Sequence, residues 1–207
     1  AGKTTLLNLL STRDKPTKGE ILLEGKDITK LSNKQLSLIR RDKIGFIFQE
    51  YNLLDNMTLQ DNIALPLSLN GAKSGEIIRK VQQRACAFGL ESHLRKYPYQ
   101  LSGGQKQRAA SARALITEPR ILFADEPTGA LDSKSSRDLL CCLKAANEEE
   151  KATILMVTHD GYTASYARQV YFLKDGKIHS RLNHGESRKA FYEEIMSMLA
   201  AMGGEQE

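Results

Sequence analysis

This 207-residue sequence has no run of about eighteen consecutive apolar residues, the length a helix needs to span a bilayer, so no membrane-crossing helix is expected. Cysteine is scarce: Cys86 and the adjacent Cys141 and Cys142 are odd in number and lack metal-ligand spacing. They are expected to be buried or half-buried free thiols of a reducing compartment. Blocks of one charge are missing too. The net charge is +5, but lysines and arginines are interleaved with acids, the pattern of a scattered solvated surface rather than a nucleic-acid or membrane face. No internal repeat and no low-complexity segment appears. The sequence starts in mid-motif, "AGKTTLLNLL", without a methionine, so a leader peptide is not readable from it. What is present, 41% hydrophobic and 27% charged residues, is the composition of an ordinary globular protein long enough to bury a sizeable core. One domain, or one domain with an inserted subdomain, is the natural expectation.

Local patterns divide the chain. Leu6, Leu7, Leu9 and Leu10 follow a small, hydroxyl-bearing start and predict a helix that Pro16 and Gly19 break off. "EILLEGKDI" reads as a strand, a glycine turn and a return, and "LSNKQLSLIRR" as a helix capped by Ser32. "KIGFIFQ" is a compact apolar strand ending at Gln49. The stretch of about 57–115 is helical in pattern, with Thr58 capping a helix through Ile63 and a second helix stopped by Gly89. "RILFADEP" and "ATILMVTHD" are buried-type strands with a helix from Ser133 to about Glu150 between them. "QVYFLKDGKIHS" is a hairpin turning at Asp175-Gly176, and a terminal helix of about 186–202 is stopped by Gly203 and Gly204. Strands alternating with helices around a helical middle predict an α/β domain with a parallel sheet and an all-helical insert.

Five stretches carry chemistry. The first is Gly2, Lys3, Thr4 and Thr5, the tail of a phosphate-binding loop. There Lys3 would reach the β- and γ-phosphates, the Thr4 hydroxyl would bind Mg²⁺, and the amides opening the helix would face phosphate. Taken alone, the half motif serves equally well as a plain helix cap. The second is "ILFADE", a buried strand from Ile121 to Ala124 from whose carboxyl end Asp125 and Glu126 emerge, where ligands of open α/β sheets bind. Two adjacent acids there are costly without a cation or donors. One can hold Mg²⁺ through water and the next can deprotonate an attacking water. Pro127 fixes the chain after them. The third is "LSGGQ", Leu101, Ser102, Gly103, Gly104 and Gln105, which offers a hydroxyl and approachable amides at a helix start. One phosphate chain does not need two such sites from one subunit, so the economical expectation is that this one serves a nucleotide held by another subunit; a plain glycine cap is the alternative, against which the five-residue string is far more specific than a lone glycine pair. The fourth, Gln49, could touch both metal and water. The apolar residues after it, Leu53, Leu54, Met57, Leu59, Ile63 and Leu65, are core or a docking groove. The fifth is His159, just past a buried strand; a lone histidine is more often structural, but this one stands where phosphate chemistry would be.

These stretches occur in the order found in the ATP-binding subunits of ATP-binding cassette (ABC) transporters, which the whole chain resembles. GKTT resembles the end of the Walker A loop, Gln49 the Q-loop, "LSGGQ" the signature motif, "ILFADE" the Walker B strand, Asp132 of "GALD" the D-loop and His159 the switch histidine. The resemblance implies a P-loop NTPase, RecA-like core with an antiparallel β subdomain and a helical signature subdomain, all in a single ABC ATP-binding domain over 1–207. It implies that Gly2, Lys3, Thr4 and Thr5 hold ATP, with Thr4, Gln49 and Asp125 around Mg²⁺. Glu126 would be the catalytic base, His159 would contact the γ-phosphate, and Gln49 would sense metal and membrane partner. Leu101 to Gln105 would complete the site of a second ATP-binding subunit in trans, in a homodimer that drives a permease. The groove after Gln49 would receive that permease's coupling helix. The implied location is the cytoplasmic face of a bacterial membrane, with no nucleic-acid partner.

"EYNLLDNMTLQDNIALPL", "ADEPTGALDSK" and "SRKAFYEEIMSML" resemble the branch serving bacitracin- or lantibiotic-type export and resistance, with lipoprotein-releasing and macrolide-export cassettes as alternatives. A rival from another class is a fragment that only binds a permease, although Lys3, Glu126 and His159 are those of a catalytic parent. A nucleic-acid or ribosome ATPase would carry two fused cassettes or a coiled-coil insert, and a kinase or GTPase has no role for "LSGGQ". Family members also have a preceding strand, an adenine-stacking aromatic residue and the front of the glycine-rich loop, so Ala1 is expected to be an incomplete start.

Overall fold

A computed structural model describes residues 2–203. The expectations about Ala1 and Gly204 lie outside the described residues. The chain begins with α1 (Lys3–Leu10) and a small antiparallel pair, β1 (Leu22–Leu23) and β2 (Lys26–Asp27), turned through Glu24 and Gly25 at positive φ. Next come α2 (Asn33–Asp42) and β3 (Ile44–Ile47). Ser32 starts α2 as a reciprocal cap: its hydroxyl accepts from the Gln35 amide, and the Gln35 side chain accepts from the Ser32 amide. A helical stretch follows with α3 (Leu59–Leu69), α4 (Ser74–Ala87), single 3-10 turns at Glu91–His93 and Pro98–Gln100, and α5 (Gly103–Leu115). The chain returns to strand and helix with β4 (Ile121–Asp125), α6 (Ser133–Glu149), β5 (Thr153–Val157) and the short α7 (Gly161–Ala164). A hairpin of β6 (Gln169–Lys174) and β7 (Lys177–Asn183) leads to α8 (Arg188–Gly203). Asp175 and Gly176 in its turn both have positive φ, 50° and 74°, as the residue pair predicts.

β3, β4 and β5 form a parallel sheet with β4 in the middle. Side chains alternate across it because a strand has a period of two. Phe123 packs with Leu7 of α1, Ile44 and Val157, with Ile121 and Leu10 alongside. Leu122 and Ala124 face the other way, into a larger core with Leu59, Ile63, Ala112, Leu115, Leu139 and Leu143 from α3, α5 and α6. The sheet is thus covered on both faces, the arrangement of an α/β fold.

α5 comes very close to this sheet at Gly45 of β3. A Cβ there would lie 2.5 Å from the Ala114 carbonyl oxygen and 2.9 Å from Leu122 Cδ1. The first of these is backbone and cannot rotate away. Gly45→Ala is therefore expected to cost roughly 1–3 kcal/mol or more through overpacking. Urea unfolding measures it, and an unshifted midpoint would contradict the close approach.

Three details differ from the sequence reading. α3 does not end near Ile63 but continues through Pro66 to Leu69. Burial of Ile63 and Leu67 holds the last turn in spite of the amide that Pro66 lacks. Cys86 and Cys141 are exposed and Cys142 is half-buried, since the first two fall on outward helix faces that a thiol count does not reveal. α7 and the 3-10 turns are too short to show a period. Among the described residues no helix is long and apolar enough to cross a membrane.

Candidate active site

Gly2 sits in the left-handed region (φ 76°, ψ 12°), which glycine adopts freely, and turns the chain into α1. Among the described residues no side chain caps that helix and its first turn holds no acid. Its opening amides and its positive end are therefore left for an anion. α2, α3, α5, α6 and α7, by contrast, each begin with a side-chain cap. Lys3 is half-buried and its Nζ donates to the Thr158 carbonyl oxygen at 2.8 Å, so it lies across the end of β5. Thr4 and Thr5 are exposed.

Asp125 closes β4 on the side that carries Phe123, which is the α1 side. Thr4 Oγ1 donates to its Oδ1 at 3.4 Å. Burial pushes the Asp125 carboxyl above its ordinary value and Glu126 adds to this, while the Thr4 hydroxyl and Arg13 pull it back. A cation would relieve that burden. A hydroxyl beside a carboxylate is a hard oxygen pair of the kind that, with several waters, suits Mg²⁺.

At Glu126 the backbone departs from the strand: φ is 44°, a left-handed value unusual for a residue with a side chain. Its amide donates to the Val157 carbonyl at 2.9 Å and extends the ladder, while its side chain turns to β5. There His159 Nδ1 lies 2.9 Å from Glu126 Oε1 and the His159 amide 3.4 Å from Oε2. An ionised carboxylate can only accept, so Nδ1 carries the proton in this contact. Glu126 is 16% exposed and His159 76%, so the acid is sheltered and the histidine faces outward. Gln49 is exposed at the end of the neighbouring strand. Its Nε2 lies 3.3 Å from where a Cβ on Gly129 would be, and the Glu126 carbonyl is equally near that point. Gly129 thereby lets Gln49 approach the Glu126 loop.

The loops that carry Glu126 and His159 are tied below the surface. Asp160 caps α7, accepting from the Tyr162 and Thr163 amides and from the Thr163 hydroxyl. Burial would raise its carboxyl, but these bonds outweigh it and hold Asp160 below the ordinary value. The Thr163 hydroxyl in turn meets that of Thr128 at 2.8 Å, both buried.

"LSGGQ" and Asp132 form a second cluster. Ser102 caps α5: its hydroxyl accepts from the Gln105 amide, and Gln105 Oε1 accepts from the Ser102 amide. Leu101 is buried. Gln105 Nε2 lies 2.9 Å from His93 Nε2, which must accept there, and burial with Lys96 and Arg108 holds His93 below its ordinary value. Gly103 lies against the Tyr51 hydroxyl, and Gly104 against Ser135. Asp132 caps α6 by accepting from the Ser135 amide and hydroxyl, which lower its carboxyl. Among the described residues no hydrogen bond joins this cluster to Lys3, Thr4, Asp125 or Glu126.

Of the apolar residues after Gln49, Leu59 and Ile63 are core, Leu53 packs against it, Met57 and Leu65 are half-buried and Leu54 is exposed. The sequence reading missed Asn62, fully buried, which exchanges hydrogen bonds with the Leu54 amide and carbonyl and so shapes this loop. It also missed Thr128, Thr163 and Gln107. Gln107 had a signal: it interrupts a small and apolar stripe of Gly104, Ser111 and Leu115 at helical spacing.

Residues 1–129 match the family model described as ABC transporter. The chain is 52% identical over 207 residues to the bacitracin export ATP-binding protein BceA of Halalkalibacterium halodurans, covering 100% of this chain and 82% of that protein. It is 46% identical over 182 residues to the macrolide export ATP-binding/permease protein MacB of Syntrophobacter fumaroxidans, covering 86% of this chain and 25% of that protein. Among solved structures it is similar to the dimeric, post-hydrolysis ATP-binding cassette MJ0796 bound to ADP and Pi. That match has a TM-score of 0.81 and 40% identity, and covers 90% of this chain and 82% of the other; the MJ0796 protein is from Methanocaldococcus jannaschii.

Proposed function

The chain belongs to the ABC transporter family as an ATP-binding, ATP-hydrolysing subunit, and from that premise we propose that it powers a permease exporting peptide antibiotics of the bacitracin class. The observation that carries the chemical part is the meeting of two residue pairs at the carboxyl ends of adjacent strands, Thr4 with Asp125 and Glu126 with His159. The substrate class rests on the match with the bacitracin export protein along this whole chain.

In this reading Gly2, Lys3, Thr4 and Thr5 bind the phosphates through the α1 amides and the Lys3 ammonium. Thr4 and Asp125 hold Mg²⁺, with Gln49 at its edge; the ion, when bound, supplies charge neutralisation on the phosphates. Glu126 takes the proton of the attacking water, and His159 holds the Glu126 carboxylate at one nitrogen while the rest of its exposed ring faces the γ-phosphate. Ser102 to Gly104 and Asp132 face the ATP of a second copy. The subunit sits against the cytoplasmic side of the membrane through its permease, Leu54 lying in the contact.

Lys3→Ala in the intact subunit is expected to weaken ATP binding by about tenfold or more, since a hydrogen bond to a charged group is worth about 1.5–3 kcal/mol. A nucleotide titration reads it, and unchanged affinity would remove Lys3 from the site. For the substrate, cells lacking the protein should lose resistance to bacitracin-type peptides. Unchanged resistance to them, with macrolide sensitivity gained, would move the assignment to the macrolide branch.

A further inference from the structure

We propose that Gln107 is a positioning residue for ATP hydrolysis: from inside α5 its amide sets the distance between the segment carrying Gln49 and the segment carrying Glu126. The proposal rests on the roles given to those two residues above. Gln107 is fully buried, and its Nε2 donates to the Phe48 carbonyl at 3.0 Å and to the Pro127 carbonyl at 2.9 Å. Both partners are acceptors, so only the amide nitrogen can face them, and its two hydrogens match the two oxygens. Phe48 directly precedes Gln49, and Pro127 directly follows Glu126.

The place of these bonds matters. The β3–β4 ladder ends at the pair Ile47 and Ala124. Beyond that pair the two strands no longer hold each other, and Gln107 bridges the segments that follow, at Phe48 one residue past Ile47 and at Pro127 three residues past Ala124. Both segments then enter conformations that residues with side chains seldom adopt, with φ of 51° at Tyr51, 48° at Asn52 and 44° at Glu126. Such backbones persist where their surroundings over-determine them. Arg113, further along α5, helps on one side by donating to the Tyr51 and Asn52 carbonyls. Among the described residues, Gln107 is the one side chain with hydrogen bonds to both segments.

The arrangement is also costly. Gln107 Oε1 has no partner among the described residues, and a buried amide with one end unmet is a poor core filler. An apolar side chain would fill the space without that loss but could not fix two carbonyls at a set separation.

The test is ATP turnover by the full-length subunit assembled with its permease, as native protein, Gln107→Leu, Gln107→Glu and Glu126→Gln. Gln107→Leu keeps most of the volume and removes both donors. Its kcat is expected to fall by about tenfold or more, with ATP affinity close to native, while the two carbonyls left without a donor lower the melting temperature by a few degrees. In Gln107→Glu the new carboxyl is buried against two carbonyls, which favours its protonated form, and its O–H restores one bond. Its kcat relative to native should therefore rise as pH falls from about 8 to about 6. A native-like kcat in Gln107→Leu overturns the proposal. So does a parallel fall of kcat, ATP affinity and melting temperature, or a flat relative pH profile in Gln107→Glu. If the leucine protein does not fold, the glutamate profile decides by itself. Glu126→Gln separates the two levels: native-like turnover there overturns the underlying reading, whereas a dead Glu126→Gln beside an active Gln107→Leu overturns the role of Gln107 alone.

Discussion

Glu126→Gln should lower ATP turnover by about 10²–10⁴-fold while ATP binding stays near native, the range expected when a general base is removed from its step. The substitution suits the site. Glutamine has the size of glutamate, and its amide oxygen can still accept from His159 Nδ1, so the left-handed backbone at Glu126 keeps its anchors in the Val157 carbonyl and the histidine. What it loses is the ability to take a proton from water. The carboxylate is also sheltered, at 16% exposure, so bulk solvent does not readily substitute for it. Single-turnover hydrolysis with a parallel binding titration separates the two effects. With Ser102 to Gly104 and Asp132 proposed to face the ATP of a second copy, the variant, which keeps its ATP, should also accumulate as an ATP-bound pair on gel filtration. Turnover within about threefold of native, against the factor expected of a lost base, would show that another group takes the proton.

Gly104→Ala is expected to reduce turnover by about 10²-fold, through misplacement rather than unfolding. A Cβ on Gly104 would fall 2.5 Å from Ser135 Oγ and 2.6 Å from Ser135 Cβ, distances that real atoms do not keep. Ser135 has nowhere easy to go, because its amide and hydroxyl are both held by Asp132 at the start of α6. The helix starts bearing Ser102 and Asp132 must move apart, and both are proposed to close on the partner's ATP. The stability loss should be only about 1–3 kcal/mol, since the crowding touches one side chain at a helix end. Nucleotide-dependent dimerisation, turnover and a denaturant midpoint together test this. Native dimerisation and turnover would show that α6 yields without consequence.

Much of the fold was legible because it is written in nearest neighbours. Ser32, Thr58, Ser102 and Asp132 start helices because each can accept from an amide a few residues on, a local event. Asp175 and Gly176 turn a hairpin by their own φ preferences. α3 runs to Leu69, past the Ile63 to which the local pattern took it, because the buried side chains of Ile63 and Leu67 outweigh the one amide that Pro66 lacks. Exposure of Cys86 and Cys141 escaped notice for a similar reason, since burial depends on which neighbours arrive.

By itself, the sequence determined which groups are offered and in what order. Lys3 and Thr4 open a helix, Asp125 and Glu126 end an apolar strand, His159 ends another, and the glycines of "LSGGQ" start a third element. Those placements follow from strand period, helix periodicity and capping, which act over a few residues. The tertiary structure alone decided whom each group meets. Lys3 reaches Thr158 across 155 positions and Gln107 reaches Phe48 across 59, separations at which no local pattern operates. Only packing of the whole sheet between its helix layers sets them. The left-handed turn at Glu126 belongs to the same class: its own propensity opposes it, and it holds because Val157 and His159, brought alongside by β5, give its amide and carboxylate partners that an extended chain would lack.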